Sequence, residues 1–194
     1  MALDIVILGP PGAGKGTQGK LISTEAGFPH INTGEMFRAE VAAESDLGRR
    51  VRAILDAGDL VPDELTIEVV RARLGQEDTM EGFVLDGFPR TLAQAEALDR
   101  LLEELDRDEL SVVLDFHVSD AIALERLLGR AGQESRSDDL RETIQHRLDV
   151  YHDKTEPLVG YYRNKGILVG IHADRTVAEV FAEVQQVLET ASAR

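Results

Sequence analysis

The sequence predicts an α/β fold in which a five-stranded parallel sheet carries helices on both faces. Short runs of apolar and β-branched residues alternate with longer amphipathic stretches, which is the pattern of this fold class. Most of the short runs are apolar at nearly every position, as in strands that are covered on both faces. The length of 194 residues suffices for one substantial domain, which buries roughly 70% of its surface on folding.

The predicted elements alternate along the chain. Strands are predicted over residues 3–8, 83–85, 111–118 and 167–171, with a weaker one near 30–31. Helices are predicted over 15–26, 34–43, 47–57, 62–74, 91–104, 121–128, 140–164 and 177–191. Pro157 interrupts the stretch 140–164, and a proline has no N–H and clashes with the preceding turn. We therefore expect two helices that meet at a bend there.

Two segments differ in character from the rest of the chain. The helices over 34–57 have weak apolar faces and are bounded by Gly34 and Gly58, which is typical of a small appendage. The tract 129–139 contains no apolar residue larger than alanine, so it cannot bury itself. A plain exposed loop and a mobile flap over a site both fit this tract.

The composition excludes several classes of protein. The chain has no cysteine, which excludes disulfide scaffolds, zinc–thiolate sites and thiol catalysis. No apolar run approaches the roughly 20 residues of a membrane span, and the N-terminal run is too short for a signal peptide. We therefore expect a soluble cytoplasmic protein.

The charge is strongly negative, with 36 acidic against 21 basic residues and a net charge of −15. Such a field repels polyanions, so neither nucleic acid nor an anionic membrane is an expected partner. Of the basic residues, 17 are arginines, whose planar fork binds phosphate well. A few clustered arginines could therefore still hold a phosphate ligand, although compositional bias accounts for most of the 17.

A glycine-rich segment follows the first strand and opens the first helix. It runs Gly-Pro-Pro-Gly-Ala-Gly-Lys-Gly-Thr from Gly9 to Thr17. Its glycines let backbone N–H groups approach a phosphate chain, the helix N-terminus adds unpaired donors, and Lys15 adds a point charge. This context predicts a P-loop in a three-layer sandwich. Because Gly16 separates Lys15 from the hydroxyl of Thr17, the common direct bond from that hydroxyl to Mg²⁺ is in doubt.

Asp86 closes the second predicted strand, Phe-Val-Leu-Asp. An acid at the end of a strand beside a phosphate loop can hold Mg²⁺ directly or through its waters. The alternative is an aspartate that only starts a turn. The nearby loop favours the magnesium role.

Four motifs together resemble the adenylate kinases. They are Gly-Pro-Pro-Gly-Ala-Gly-Lys-Gly-Thr-Gln at 9–18, Asn-Thr-Gly-Glu-Met-Phe-Arg at 32–38, Asp-Gly-Phe-Pro-Arg-Thr at 86–91 and Arg-Ser-Asp-Asp at 136–139. The similarity runs essentially end to end and indicates the short-lid form, since residues 130–139 leave no room for a longer lid. The resemblance implies a monomer that transfers a phosphoryl group from Mg-ATP to AMP, giving two ADP.

The resemblance also implies roles for particular residues. The ATP site would comprise Gly12, Ala13, Gly14, Lys15, Gly16, Thr17, Arg130 and Arg175. The AMP site would comprise Thr33, Arg38, Asp59, Leu60, Val61, Gly87, Phe88, Pro89, Arg90, Gln94, Arg136 and Arg147. The transferring phosphates would meet Lys15, Arg90, Arg130, Arg136 and Arg147, with Mg²⁺ at Asp86.

The same resemblance divides the chain into three parts. A core would comprise 1–31, 62–128 and 140–194, with a mobile AMP-binding arm over 32–61 and a short lid over 129–139.

Several of these residues also have a structural interpretation. Thr91 and Gln94 have the spacing of a capping box for the helix that follows, so Gln94 could serve that purpose or read the adenine edge. Thr33 could equally be an N-cap. Arg147 shares a helix face with apolar neighbours three and four residues away, so it should point inward, which is costly for an arginine without an anionic partner.

Two rival functions are open at this point. A UMP/CMP kinase would share fold and mechanism, although Thr33 and Gln94 favour adenine. A nucleotide-switched binding protein of the GTPase type would need Asn-Lys-x-Asp to read guanine. The chain offers only Asn164-Lys165 followed by Gly166-Ile167, which lacks the aspartate.

Overall fold

The central sheet has five parallel strands in the order β2–β3–β1–β4–β5 in the computed structural model, which describes residues 3–131 and 140–192. The strands are β1 (Leu3–Leu8), β2 (His30–Asn32), β3 (Gly82–Asp86), β4 (Val112–His117) and β5 (Leu168–His172). Every pairing between neighbours is parallel. The predicted α/β class with a five-stranded parallel sheet is confirmed.

The helices of the described residues are α1 (Lys15–Ala26), α2 (Thr33–Ala42), α3 (Asp46–Ala57), α4 (Asp63–Leu74), α5 (Leu92–Glu104), α6 (Asp120–Ala131), α7 (Arg141–Val150), α8 (Leu158–Asn164) and α9 (Val177–Ser192). No helix in these parts of the chain has an apolar stretch long enough for a membrane span. The helix predicted to end at 128 continues as α6 through Gly129 to Ala131, so the proposed lid segment begins inside a helix. Residues 132–139 of that segment lie outside the described residues.

The alternation of side chains in β1 divides the interior into two cores. Ile5 and Ile7 pack in a core with residues of α1 and α9. Val6 and Leu8 point to the other face and pack with residues of α4, α5 and α8. Since successive side chains of a strand point to opposite faces, β1 carries an apolar layer on each side, which confirms the three-layer sandwich.

The pair α2 and α3 has a small core of its own. Phe37, Val51 and Val61 are buried there, and partly buried side chains of α4 complete it. Gly58 ends α3 in the left-handed conformation, with φ of +81°, which a residue without Cβ adopts readily. This small core is separate from the two cores of the sheet, as expected of an appendage.

The cap of α2 is Asn32, and the expectation that Thr33 could cap it is wrong. Asn32 has an extended backbone, and its side chain accepts a hydrogen bond from the N–H of Glu35 at 2.9 Å. Thr33 is already helical and buried, and its hydroxyl donates to the carbonyl oxygen of Gly87 at 2.9 Å. Gly34, the expected boundary, lies within the first turn.

The break near Pro157 takes the form of a π turn. Between α7 and α8 the residues Tyr151–Thr155 are π-helical, and the N–H of Glu156 donates to the carbonyl oxygen of Tyr151 at 2.9 Å. Pro157 then stands at the N-cap of α8. The two predicted helices are therefore present, but the departure from α-helical geometry begins several residues before the proline.

His152 in the π turn connects this segment to the start of α6. Its Nδ1 lies 2.7 Å from Glu156, and its Nε2 lies 3.1 Å from both carboxylate oxygens of Asp120. The hydrogen bond with Glu156 has the largest effect and raises the pKa of His152 above its usual value; burial opposes it, and the contact with Asp120 raises the pKa further. The contacts of protonated His152 therefore stabilise the folded state fully at pH values below the unfolded-state pKa of this residue. This contribution to the free energy of unfolding is lost as the pH rises through the folded-state pKa.

We expect His152→Gln to reduce the free energy of unfolding at pH 6 but not at pH 9. The loss at pH 6 should be at most about 1 kcal/mol, because the pair is half-exposed. Urea unfolding of wild type and variant at the two pH values measures this. An equal loss of the free energy of unfolding at pH 6 and at pH 9 would contradict the explanation that the charge of His152 stabilises the fold.

Candidate active site

A cavity of about 560 Å³ opens at the carboxyl ends of the central strands. In the sheet register Ile7 of β1 lies beside Asp86 of β3, so the end of β3 lies next to the start of the glycine-rich loop. Ligand sites of parallel α/β sheets form in the crevice at this edge. The cavity also reaches α7 and the segment after β5.

The loop after β1 requires glycine at two positions where it passes close to neighbouring backbone. Gly9 has φ of +138°, and a Cβ there would lie 2.7 Å from the carbonyl oxygen of Phe116. Gly12 has φ of +86°, and a Cβ there would lie 2.6 Å from the carbonyl oxygen of Ala123. The helix α1 starts directly after the loop, so the unpaired N–H groups of its first turn can receive an anion.

The Lys15 side chain folds back over the loop. Its Nζ donates to the carbonyl oxygens of Gly9 at 2.7 Å and Pro10 at 2.8 Å, and the side chain lines the cavity. These bonds hold the ammonium beside the N-terminus of α1. The positive charge therefore lies where a phosphate chain on the loop would be.

Asp86 is buried beside the loop in its ionised form. One of its oxygens accepts a hydrogen bond from Asn32 at 2.6 Å and lies 3.5 Å from His30 Nε2. Burial alone would raise its pKa, but the His30 contact and the charges of Lys15 and Arg90 outweigh burial and lower the pKa.

The surroundings of Asp86 fit a magnesium ion that is shared with substrate phosphates. The carboxylate faces the first turn of α1, since a Cβ at Gly16 would lie 3.7 Å from Asp86 Oδ2. Within 3–131 and 140–192 no cluster of three or more His, Cys, Asp or Glu forms a complete metal site. Mg²⁺ typically keeps several waters and binds one or two carboxylates together with phosphates. One ionised carboxylate beside a phosphate loop satisfies that preference.

Five of the described arginines line the same cavity, among them Arg38 of α2, Arg90 after β3 and Arg147 of α7. The Nε of Arg90 donates to the carbonyl oxygen of Gly87 at 2.8 Å. The side chain of Arg147 packs closely on Gly58, since a Cβ on Gly58 would lie 2.8 Å from Arg147 Cγ. With Lys15 these residues concentrate positive charge inside a protein whose net charge is −15, which is suited to a polyanionic ligand.

Most of the predicted site residues meet at this cavity. Its lining includes Gly12, Ala13, Gly14, Lys15, Gly16, Thr17, Arg38, Leu60, Asp86, Gly87, Pro89, Arg90, Arg147 and Arg175. Arg136 and the side chain of Arg130 lie outside the described residues.

Five predicted residues do not line the cavity in this structure: Thr33, Asp59, Val61, Phe88 and Gln94. Val61 and Phe88 are buried in hydrophobic cores. Thr33 is buried against Gly87. The side chain of Asp59 is half-exposed and lies 2.6 Å from His146 of α7.

Gln94 forms only half of the expected capping box. The hydroxyl of Thr91 accepts from the N–H of Gln94 at 3.2 Å and caps α5. The Gln94 side chain does not return to Thr91. Its Oε1 accepts from the N–H of Arg90, and its Nε2 donates to Asp63, both at 2.7 Å.

Sequence reasoning assigned no role to several polar residues of the cavity, among them Arg126 and Gln18. Arg126 of α6 donates to the carbonyl oxygen of Ala173 at 2.8 Å, and Gln18 of α1 donates to that of Val177 at 2.9 Å. Both side chains line the cavity near Arg175. Arg126 precedes Arg130 by one helical turn, so this spacing could have placed it on the same face.

The chain is a P-loop protein that binds phosphate groups. Three features define this class: the three-layer sandwich, the glycine-rich loop between β1 and α1, and the cationic cavity. The family model described as adenylate kinase matches residues 7–167.

Curated relatives named adenylate kinase match nearly full length. The protein of Thermobifida fusca is 46% identical, with 97% of this chain and 99% of the relative covered. That of Thermus thermophilus is 49% identical, with 95% and 96% covered. That of Desulfitobacterium hafniense is 43% identical, with 95% and 97% covered. The chain belongs to the adenylate kinase family.

Proposed function

We propose that this chain transfers the terminal phosphoryl group of Mg-ATP to AMP, giving two ADP. A phosphate oxygen of AMP forms a bond to the γ-phosphorus, and the bond from that phosphorus to the β-phosphate oxygen breaks. The acceptor oxygen is already anionic at neutral pH, so no general base is needed. The observation that carries the proposal is that Lys15 lines one cavity together with Arg38, Arg90 and Arg147.

The main barrier that these cations lower is electrostatic. Two unit charges about 4 Å apart at an effective dielectric of about 20 interact by about 4 kcal/mol, and several such repulsions arise when two nucleotide phosphates meet. Lys15, Arg90 and Arg147, with Arg130 and Arg136 of the lid, would offset this repulsion and stabilise the charge of the in-line transition state.

The two substrates would occupy opposite ends of the cavity. ATP would lie with its phosphates on residues 12–17 and its base near Arg175, with Arg126 alongside. AMP would lie between the arm, 32–61, and residues 87–90, with Arg38 and Arg90 on its phosphate. Residues 59–61 and Gln94 would lie at its base. Of these four residues Leu60 lines the cavity in this structure, so contact with the other three would require movement of the arm. Closing of the arm and of the lid over 129–139 would exclude water, which is a competing acceptor.

Asp86 would hold magnesium through water, beside residues 12–17. The ion supplies positive charge to the phosphate oxygens when it is bound. The protein would act as a monomer, which is the state that the resemblance to the adenylate kinases implies. We also propose a cytoplasmic location, where both substrates are available.

The test is a coupled assay of ADP formation from ATP with AMP, CMP and UMP in turn. We expect AMP to be the preferred acceptor, and little ATP hydrolysis when no monophosphate is present. The UMP/CMP alternative is not favoured, because the relatives carry the name adenylate kinase. Faster turnover of CMP or UMP than of AMP would revive it, and rapid hydrolysis without an acceptor would contradict the proposed mechanism.

A further inference from the structure

The amide of Gln94 is buried behind the lining of the cavity, where it connects the segment of Arg90 to the start of α4. Its Oε1 accepts from the backbone N–H of Arg90, whose side chain lines the cavity. Its Nε2 donates to Asp63, which begins α4 three residues after Leu60, another residue of the cavity lining. Only 2% of Gln94 is exposed, so this amide makes its hydrogen bonds with little competition from water.

These two partners determine the orientation of the Gln94 amide, that is, which position its oxygen takes and which its nitrogen takes. An ionised carboxylate can only accept a hydrogen bond, and a backbone N–H can only donate one. Rotating the Gln94 amide by half a turn would place its oxygen against the carboxylate of Asp63 and its N–H group against that of Arg90. Both contacts would be repulsive, and buried polar groups would lose their partners.

The carboxylate of Asp63 is itself held in place. Its second oxygen accepts a hydrogen bond from the hydroxyl of Thr91 at 2.9 Å. Thr91 in turn caps the helix that carries Gln94. The carboxylate, the cap and the amide therefore form one connected network, and the orientation of the amide depends on the acceptor character of Asp63.

A glutamine amide can make four hydrogen bonds, two through its oxygen and two through its nitrogen. Two are made here, which leaves one acceptor position and one N–H. The edge of adenine offers the complement, an amino group that donates and a ring nitrogen that accepts. A 6-oxo purine such as that of inosine monophosphate offers the reverse, an oxygen that accepts and a ring N–H that donates.

We infer that Asp63 is a positioning residue that makes the acceptor site select a 6-amino purine over a 6-oxo purine, by fixing the amide of Gln94. The inference rests on the base-reading role proposed for Gln94. A 6-oxo purine would be bound well only by the flipped amide, and Asp63 opposes that flip. A site with buried hydrogen-bonding groups strongly rejects a ligand that leaves them unpaired.

The test compares kcat/KM for AMP with kcat/KM for inosine monophosphate in wild type and Asp63→Asn. Asparagine can offer either an oxygen or an N–H, so the residue at position 63 no longer opposes the flip and only the backbone N–H of Arg90 does. We expect the preference for AMP to fall at least about tenfold, as for loss of a hydrogen bond to a charged partner. Where turnover of inosine monophosphate is below detection, its inhibition constant against AMP replaces it.

Two further variants separate orientation from stability. Thr91→Val removes the cap and the second bond to Asp63 but keeps the carboxylate beside Gln94, so we expect lower thermal stability with an unchanged preference. Asp63→Glu keeps an acceptor-only group and should retain more of the preference than Asp63→Asn. If Asp63→Asn does not fold, Asp63→Ser, whose hydroxyl both donates and accepts, takes its place with the same expected loss.

An unchanged preference in a folded Asp63→Asn or Asp63→Ser variant would overturn the inference. The inference would also be overturned if Thr91→Val lost as much of the preference for AMP as Asp63→Asn does. That result would show that general destabilisation lowers the preference. The proposed function is tested separately by the wild type. If the wild type forms ADP from ATP and AMP while the Asp63 variants keep its preference, only the inference about Asp63 fails.

Discussion

Replacement of Lys15 by alanine is expected to lower kcat for ADP formation by about a thousandfold, the size found when a charged or hydrogen-bonding group at a transition state is removed. Lys15 Nζ lies within 2.8 Å of two carbonyl oxygens of the phosphate loop. Its charge is therefore directed to the phosphates on that loop rather than to solvent. Steady-state kinetics measures the loss, and circular dichroism checks that the fold is retained.

The matched control is Lys154→Ala. Lys154 is exposed in the π turn, pairs with Asp153 at 2.9 Å and does not line the cavity. Its loss should leave kcat within about twofold, since exposed ion pairs contribute little. Lys15→Arg should stay strongly impaired, because a planar guanidinium does not replace a compact ammonium held between two carbonyl groups. Near-normal turnover of Lys15→Ala would refute the role given to Lys15.

The fold could be predicted well where the signals are local. The predicted bounds of β1 and α1 agree with the structure, because a short apolar run, a glycine-rich turn and a helical pattern follow one another directly. The sheet could be predicted as parallel for the same reason, since its strands are apolar on both faces and are separated by helices.

Prediction was weaker where two local solutions are possible. Asn32 and Thr33 are both good capping residues, and the sequence does not show that the hydroxyl of Thr33 is used by Gly87, a residue 54 positions away. Near Pro157 the sequence shows that an α-helix must break. It does not show that the chain adjusts by a π turn several residues earlier.

In the candidate site, too, local features could be predicted from the sequence and contacts between distant residues could not. The phosphate loop is contiguous and could be found from its glycines and Lys15. The partners of Gln94 could not be found in this way, because Asp63 is 31 positions distant and lies on another helix. Arg126 likewise lies among other charged residues of α6, and only the position of Ala173 in the fold shows that it points to the cavity.

Replacement of Arg90 by alanine is expected to reduce kcat/KM for AMP by at least about a hundredfold. The guanidinium of Arg90 is fixed beside the cavity by the carbonyl oxygen of Gly87 at 2.8 Å. A planar fork held in this way can bind two phosphate oxygens at once. Since the contact would strengthen as negative charge moves between the phosphates, kcat should fall as well as the affinity for AMP.

The fold should survive this change, because alanine keeps the two hydrogen bonds that the backbone of Arg90 makes. Its N–H donates to Gln94, and its carbonyl oxygen accepts from the hydroxyl of Thr155 at 3.0 Å. The matched control is Arg71→Ala, since Arg71 is half-exposed, pairs with Glu104 and does not line the cavity. Arg90→Lys keeps the charge but loses the fork, so it should recover only a small part of the activity. Full recovery with lysine would show that Arg90 acts through its charge alone, and unchanged turnover of Arg90→Ala would remove it from the proposed transfer site.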